Sequence, residues 1–167
     1  MLSVHQASPL SSVHNDRPSS PCGPESFPAL LRGAGQFVAY GESRRALIEE
    51  ALAGYLAPHG RRPAVLHEAM AYCVLTGGKR VRPLLCGLAA EICGKKLEDV
   101  LPTACALEMI HAFSLVHDDL PAIDDDAIRR GWPTCHVRFG EAVAILAGDA
   151  LLARAFEVLT MQRTTAP

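Results

Sequence analysis

Leu107-Glu108-Met109-Ile110-His111-Ala112-Phe113-Ser114-Leu115-Val116-His117-Asp118-Asp119-Leu120-Pro121-Ala122-Ile123-Asp124-Asp125-Asp126-Ala127-Ile128-Arg129-Arg130-Gly131 runs an apolar helical pattern straight into five aspartates and two arginines. Carboxylates this crowded repel one another and lose solvation when partly buried, so the arrangement is stable only if they stay wet or share cations. A shared Mg²⁺ fits best: it takes oxygen ligands, keeps several waters and bridges one or two carboxylates to phosphates, which the adjacent arginines would also grip. A calcium loop of EF-hand type fails, because the required glycine and terminal glutamate are missing at the right offsets. On the helix, His111 and Asp118 lie seven residues apart and so share one stripe, about 10 Å along the axis. Glu108 and Ser114 join them in a polar seam expected to face one cavity.

Outward from this stretch, every sustained apolar pattern has helical period. Phe37, Tyr40, Leu47, Ala51, Leu52 and Tyr55 predict one or two amphipathic helices over 36–56, stopped at Pro58 and Gly60. Further helices are expected over 64–75, with Pro63 at the start and Gly77-Gly78 at the end, and over 81–93, stopped by Gly94. Residues 95–99 read as a turn into a helix over 99–118. A loop containing Pro121, Gly131 and Pro133 follows, then a last helix over 140–159. No segment alternates as a strand does, so the predicted class is all-α.

Gly77-Gly78-Lys79-Arg80-Val81-Arg82-Pro83 is the second constellation. Two glycines give backbone freedom, and three cations emerge at the start of a helix whose amides attract anions. A P-loop reading fails, since Cys73 stands where the first glycine belongs and Arg80 where Ser or Thr belongs. A basic turn and an acidic cluster together imply two diphosphates.

The 167 residues suffice for one domain with a real core, and 49% are hydrophobic. Sixteen basic against 18 acidic side chains give a net charge of −2, which excludes nonspecific nucleic-acid binding through a basic surface. The six cysteines form no CxxC pair and no zinc-ligand spacing, and read as reduced core thiols of a cytoplasmic protein. Glu91 and Asp149 interrupt the longest apolar runs, so no membrane span is expected. Residues 1–35, rich in Ser, Pro and Gly, predict a disordered or variable leader; a targeting peptide is the alternative, weakly supported because the stretch contains Asp16, Glu25 and only two arginines. Residues 36–160 form the helical domain, and 161–167 an unrelated tail.

Taken together, Gly77–Pro83, Glu108–Asp124, Arg129-Arg130-Gly131, Pro133–His136, Phe139-Gly140-Glu141 and Leu146–Leu152 resemble the trans-prenyl diphosphate synthase (polyprenyl synthetase) family over roughly residues 36–160. The resemblance implies the N-terminal portion of the isoprenoid-synthase helical bundle. It also implies that Asp118, Asp119 and Asp124 form the first aspartate-rich motif and hold Mg²⁺ on an allylic diphosphate, with Arg129 gripping phosphate. Lys79, Arg82, His111 and Arg130 correspond to the isopentenyl diphosphate site. The implied reaction ionises an allylic diphosphate (geranyl or dimethylallyl), lets the isopentenyl double bond attack the cation, and loses a proton. Phe113 and Ser114, just upstream of the aspartates, would floor the chain pocket. The aromatic at 113 and the four-residue spacer resemble bacterial-type farnesyl diphosphate synthases, with geranylgeranyl diphosphate the alternative product.

Ala127 and Trp132 depart from the family pattern without removing an assigned ligand. Members of the family have roughly three hundred residues, act as homodimers and carry a second aspartate-rich motif that this chain lacks. The resemblance therefore implies a truncated enzyme, with apolar helix faces exposed and little or no activity alone. The competing class is a noncatalytic partner of a full-length synthase. Such regulatory subunits tend to lose the first aspartate motif and to carry CxxxC pairs, whereas this chain keeps the former and lacks the latter.

Overall fold

The computed structural model describes residues 34–163 apart from 59, 61 and 62. The leader up to residue 33 and the tail from 164 lie outside the described residues, as does Cys22. Among the described residues there are six α-helices: α1 Ala34–Leu56, α2 Ala64–Leu75, α3 Val81–Ile92, α4 Leu101–Asp118, α5 Cys135–Phe139 and α6 Glu141–Leu159. A 3₁₀ turn, Leu97–Val100, leads into α4, and two residue pairs, β1 Ile128–Arg129 and β2 Trp132–Pro133, make a minimal antiparallel ladder. The class is all-α.

Punctuation in the sequence explains the helix ends. Pro63 caps α2 with extended backbone, and at the other end the Thr76 hydroxyl donates to Tyr72 O at 2.6 Å. Pro83 sits in the first turn of α3 and Pro102 in that of α4, where a missing N–H costs nothing. One continuous helix spans 34–56, α4 starts at Leu101 behind the 3₁₀ turn, and Gly140 caps α6 without joining it. The expected loop after the aspartates contains a hairpin and the five-residue α5. Both are too short to show a period.

α4 is the central helix and packs chiefly along α6. Ala104, Cys105, Met109 and Ala112 of α4 and Ala144, Ala147, Gly148, Leu151 and Ala155 of α6 are buried, and the small side chains on both helices allow close approach. Ile48 and Leu52 of α1 and Val74 of α2 complete the buried core. Fully burying each large aliphatic stabilises by about 1.5–3 kcal/mol, against 0–1 kcal/mol for a surface ion pair such as Arg44–Glu91, so the core holds the bundle together.

Two expectations need correction. Leu97–Asp118 is, by length and composition, apolar enough to cross a membrane. The expectation missed this because it judged interrupted runs rather than mean hydropathy. The apolar character has another use here, since Ala104, Cys105, Ala106 and Met109 are fully buried against the neighbouring helices. The five described cysteines are free, but Cys93 is exposed at the end of α3 rather than in the core. As expected, apolar side chains remain uncovered, notably Ile145, Leu146 and Phe156 on α6. Gln162, which the sequence reading placed in the tail, donates to Asp99 O at 2.7 Å and accepts from the Thr103 hydroxyl at 2.8 Å, so it caps the start of α4.

Candidate functional site

α4 delivers Asp118 and Asp119 in its last turn, and the backbone then folds back on itself. The amide of Asp124 donates to Asp118 O at 2.9 Å, and those of Ile123 and Asp125 to Leu120 O at 2.9 and 3.1 Å. Six positions apart in sequence, Asp118 and Asp124 thus sit at the two ends of one hydrogen bond. Both are exposed, and neither side chain makes a hydrogen bond or ion pair among the described residues. Asp119 differs: it is 4% exposed and accepts from Arg129 Nε at 2.7 and 2.9 Å through its two oxygens. Arg129 Nη2 also reaches Asp126 Oδ2 at 3.1 Å.

No three His, Cys, Asp or Glu side chains converge on a metal position among the described residues. The donors are instead the exposed carboxylates of Asp118, Asp124 and Asp125 at an open turn, the first two joined by the backbone bond just described. Such a set fits Mg²⁺, whose remaining positions go to water and phosphate oxygens.

The hairpin carries the decisive geometry. Arg129 pairs with Trp132, and the two intervening residues, Arg130 and Gly131, have φ of +54° and +82°. This is a type I′ turn, in which both central residues are left-handed. Adjacent arginines consequently leave in different directions. Arg129 turns to the aspartates, whereas Arg130 Nη1 donates to Gly77 O. The approach to the glycine pair is so close that a Cβ on Gly78 would lie 2.7 Å from Arg130 Nη1.

Lys79, Arg82, His111 and Arg130, predicted together, do line one open groove of about 500 Å³, with Glu108 and the glycine turn. Burial, and next the charge of Arg82, hold the His111 imidazole below its ordinary pKa; Arg130 and Arg129 act the same way and Glu108 opposes them. The groove is cationic and suited to a phosphate group.

Arg80 does not present its charge there. Its backbone is left-handed at φ +52°, and its side chain turns into the protein, 1% exposed, to meet Glu49 at 2.8 Å, Glu108 at 2.9 Å and Val74 O at 2.7 Å. The expected polar seam is therefore divided. Glu108 answers Arg80, His111 lines the groove, Ser114 Oγ donates to His111 O at 2.9 Å, and Asp118 lies outside the groove's lining. Phe113 packs edge-on against His117, with centroids 4.8 Å apart. His117 Nε2 lies 3.2 Å from Ile145 O, and its ring occupies the space that a Cβ on Gly148 would need.

Sequence reasoning missed Glu49, whose role is visible only once α1 meets α3. It also missed a second, smaller cavity of about 40 Å³, whose lining includes Asp119, Arg129, Trp132, Cys73 and Cys135. The interaction with Cys135, and next burial, pushes the Cys73 thiol up, while Cys73 draws Cys135 down. Spacing alone gave no signal for that pair.

Against known families, residues 63–166 match polyprenyl synthetase, more than half of the chain. The chain belongs to this family. It is 50% identical over 124 residues to a geranylgeranyl diphosphate synthase of Cyanophora paradoxa, covering 74% of this chain and 41% of that protein. It is 58% identical over 97 residues to the farnesyl diphosphate synthase of Haemophilus influenzae, covering 58% and 33%. Among solved structures, an FPP/GFPP synthase from Zymomonas mobilis superposes with a TM-score of 0.72 at 40% identity, covering 77% of this chain and 46% of that one. The fold is thus the N-terminal portion of the isoprenoid-synthase bundle. The chain spans less than half the length of these relatives.

Proposed function

We propose that this chain carries the first metal-diphosphate site and the isopentenyl diphosphate site of a trans-prenyltransferase. The observation that supports this most directly is the hairpin 128–133. Its consecutive arginines serve the acidic turn on one side and the glycine-rich basic groove on the other, so two phosphate groups would be held on either side of one rigid element.

Asp118 and Asp124, with Asp119 once it is released, would hold Mg²⁺, which supplies positive charge to the leaving diphosphate of the allylic substrate. Arg129 would grip the same diphosphate. A phosphate that takes Arg129 frees Asp119 from its present partner. Lys79, Arg82, His111 and Arg130 would bind the isopentenyl diphosphate in the groove. The fixed cations stabilise charge that develops as the allylic bond breaks, and the apolar faces exclude water that would quench the cation. Phe113 and Ser114 would limit the product, with the Phe113 ring favouring farnesyl over geranylgeranyl diphosphate. The free thiols suit a cytoplasmic setting.

The test is incorporation of radiolabelled isopentenyl diphosphate into geranyl diphosphate by the purified chain with Mg²⁺, with Asp118→Ala alongside and product length read by chromatography. A fifteen-carbon product abolished by Asp118→Ala supports the proposal. Isopentenyl diphosphate that fails to bind even at millimolar concentration would sink it, whether or not turnover occurs.

A further inference from the structure

Arg45, on α1, reaches across to the basic turn. Its Nη2 donates to Gly78 O at 2.6 Å, while Glu49, one helical turn further on, takes the Arg80 guanidinium at 2.8 and 2.9 Å. Arg45 Nε also lies 3.8 Å from the Glu49 oxygen that Arg80 Nε uses. Gly77 O is claimed by Arg130. Both carbonyls of the glycine pair are therefore held by guanidinium groups, one from α1 and one from the hairpin.

Holding matters because this backbone turns easily. Gly77 and Gly78 have φ of +113° and +140°, a region that favours glycine, and the peptide between Gly78 and Lys79 can rotate at little steric cost. In a trans peptide the carbonyl and the following N–H point opposite ways, so fixing Gly78 O towards α1 fixes the Lys79 N–H away from it. That amide donates to no group among the described residues, and Gly78 and Lys79 line the cationic groove with Arg82, His111 and Arg130. A free amide attracts an anion, whereas a reversed peptide would set a carbonyl oxygen, which repels phosphate, in its place.

We propose, resting on the reading of this groove as the isopentenyl diphosphate site, that Arg45 is a positioning residue for that substrate. It is not part of the groove lining and acts through the Gly78 carbonyl, locking the Gly78–Lys79 peptide in the orientation that an incoming diphosphate requires. The ordering cost is met before the substrate arrives. Arg44 supplies the comparison: it carries the same charge one residue earlier on α1, but it pairs with Glu91 at 3.1 Å and makes no hydrogen bond to the turn among the described residues.

Isothermal titration calorimetry of isopentenyl diphosphate into the whole chain, beside urea unfolding, tests this. Arg45→Ala should weaken binding about tenfold, the order of one charge-assisted hydrogen bond, at an unchanged urea midpoint, and Arg44→Ala should stay within about twofold of the wild type. In the free chain, the NMR amide resonance of Lys79 should move or split in Arg45→Ala and stay in place in Arg44→Ala. Equal losses of affinity from the two variants would reduce Arg45 to its net charge and overturn the proposal. So would an unmoved Lys79 resonance, or a loss of affinity that comes with a lowered urea midpoint. Wild-type affinity in Arg45→Ala, with Lys79→Ala failing to bind, would overturn the positioning role and leave the reading of the groove intact. A wild-type chain that binds no isopentenyl diphosphate removes both.

Discussion

Arg80 Nη1 donates to Glu108 Oε1 at 2.9 Å, inside the bundle, with both side chains almost wholly removed from water. The guanidinium is claimed a second time by Glu49 of α1 and a third time by the Val74 carbonyl at the end of α2. One cation thus ties α1, α2 and α4 to the start of α3. Burying such charges is tolerated only when they are paired and hydrogen-bonded, and here all three guanidinium nitrogens of Arg80 donate.

Removing Arg80 strands Glu108 without a partner. Arg80→Ala should lower the unfolding free energy by about 3–5 kcal/mol, read as a shift in the urea midpoint. Lys79→Ala, one residue earlier and exposed, should change it by about 0.5 kcal/mol or less. Equal effects at the two positions would contradict the division of labour drawn here.

Asp118, Asp124 and Asp125 make no side-chain hydrogen bond or ion pair among the described residues, and the first two are joined by the backbone bond that closes the acidic turn, so metal-dependent anion binding should rest on that pair. Asp118→Ala should weaken Mg²⁺-dependent binding of inorganic pyrophosphate at least tenfold, about 1.4 kcal/mol, by isothermal titration calorimetry. Asp125→Ala should leave it nearly unchanged. Binding that needs no Mg²⁺ would show that the arginines alone capture the anion.

His111 titrates below its ordinary value because its charged form is desolvated and faces Arg82. The unfolded chain therefore holds more protons than the folded one below about pH 6.5, where a free histidine titrates. The sign follows: this contribution is present above pH 6.5 and is lost as pH falls through the folded pKa. His111→Gln should flatten the pH dependence of stability below 6.5. NMR titration should find the imidazole pKa below 6.5 in the free chain and raised when isopentenyl diphosphate is added.

Gly148 leaves room for the His117 ring, whose Nε2 an added Cβ would run into. Gly148→Ala should destabilise by about 1–3 kcal/mol through overpacking. His117→Ala should relieve part of that cost, giving a coupling energy of at least 0.5 kcal/mol in a double-mutant cycle. Strict additivity would mean that the ring simply swings into solvent.

Local chemistry alone accounts for much of this protein. Proline, glycine and apolar period placed α2 at its observed bounds and α3, α4 and α6 within two residues, because helix ends are set by neighbours in the chain. The same short-range reading brought the aspartates to one turn, and the family resemblance brought Lys79, Arg82, His111 and Arg130 to one groove. It stopped at Arg80. Lys79, Arg80 and Arg82 look equivalent in sequence, yet a left-handed backbone at Arg80 and two carboxylates from α1 and α4 draw that one cation inward. Nor does any local pattern tell that Arg129 and Arg130 part company, or that Cys73 and Cys135 line one cavity. Those outcomes depend on partners distant in sequence, and a charge or thiol finds its neighbours only after the helices have packed.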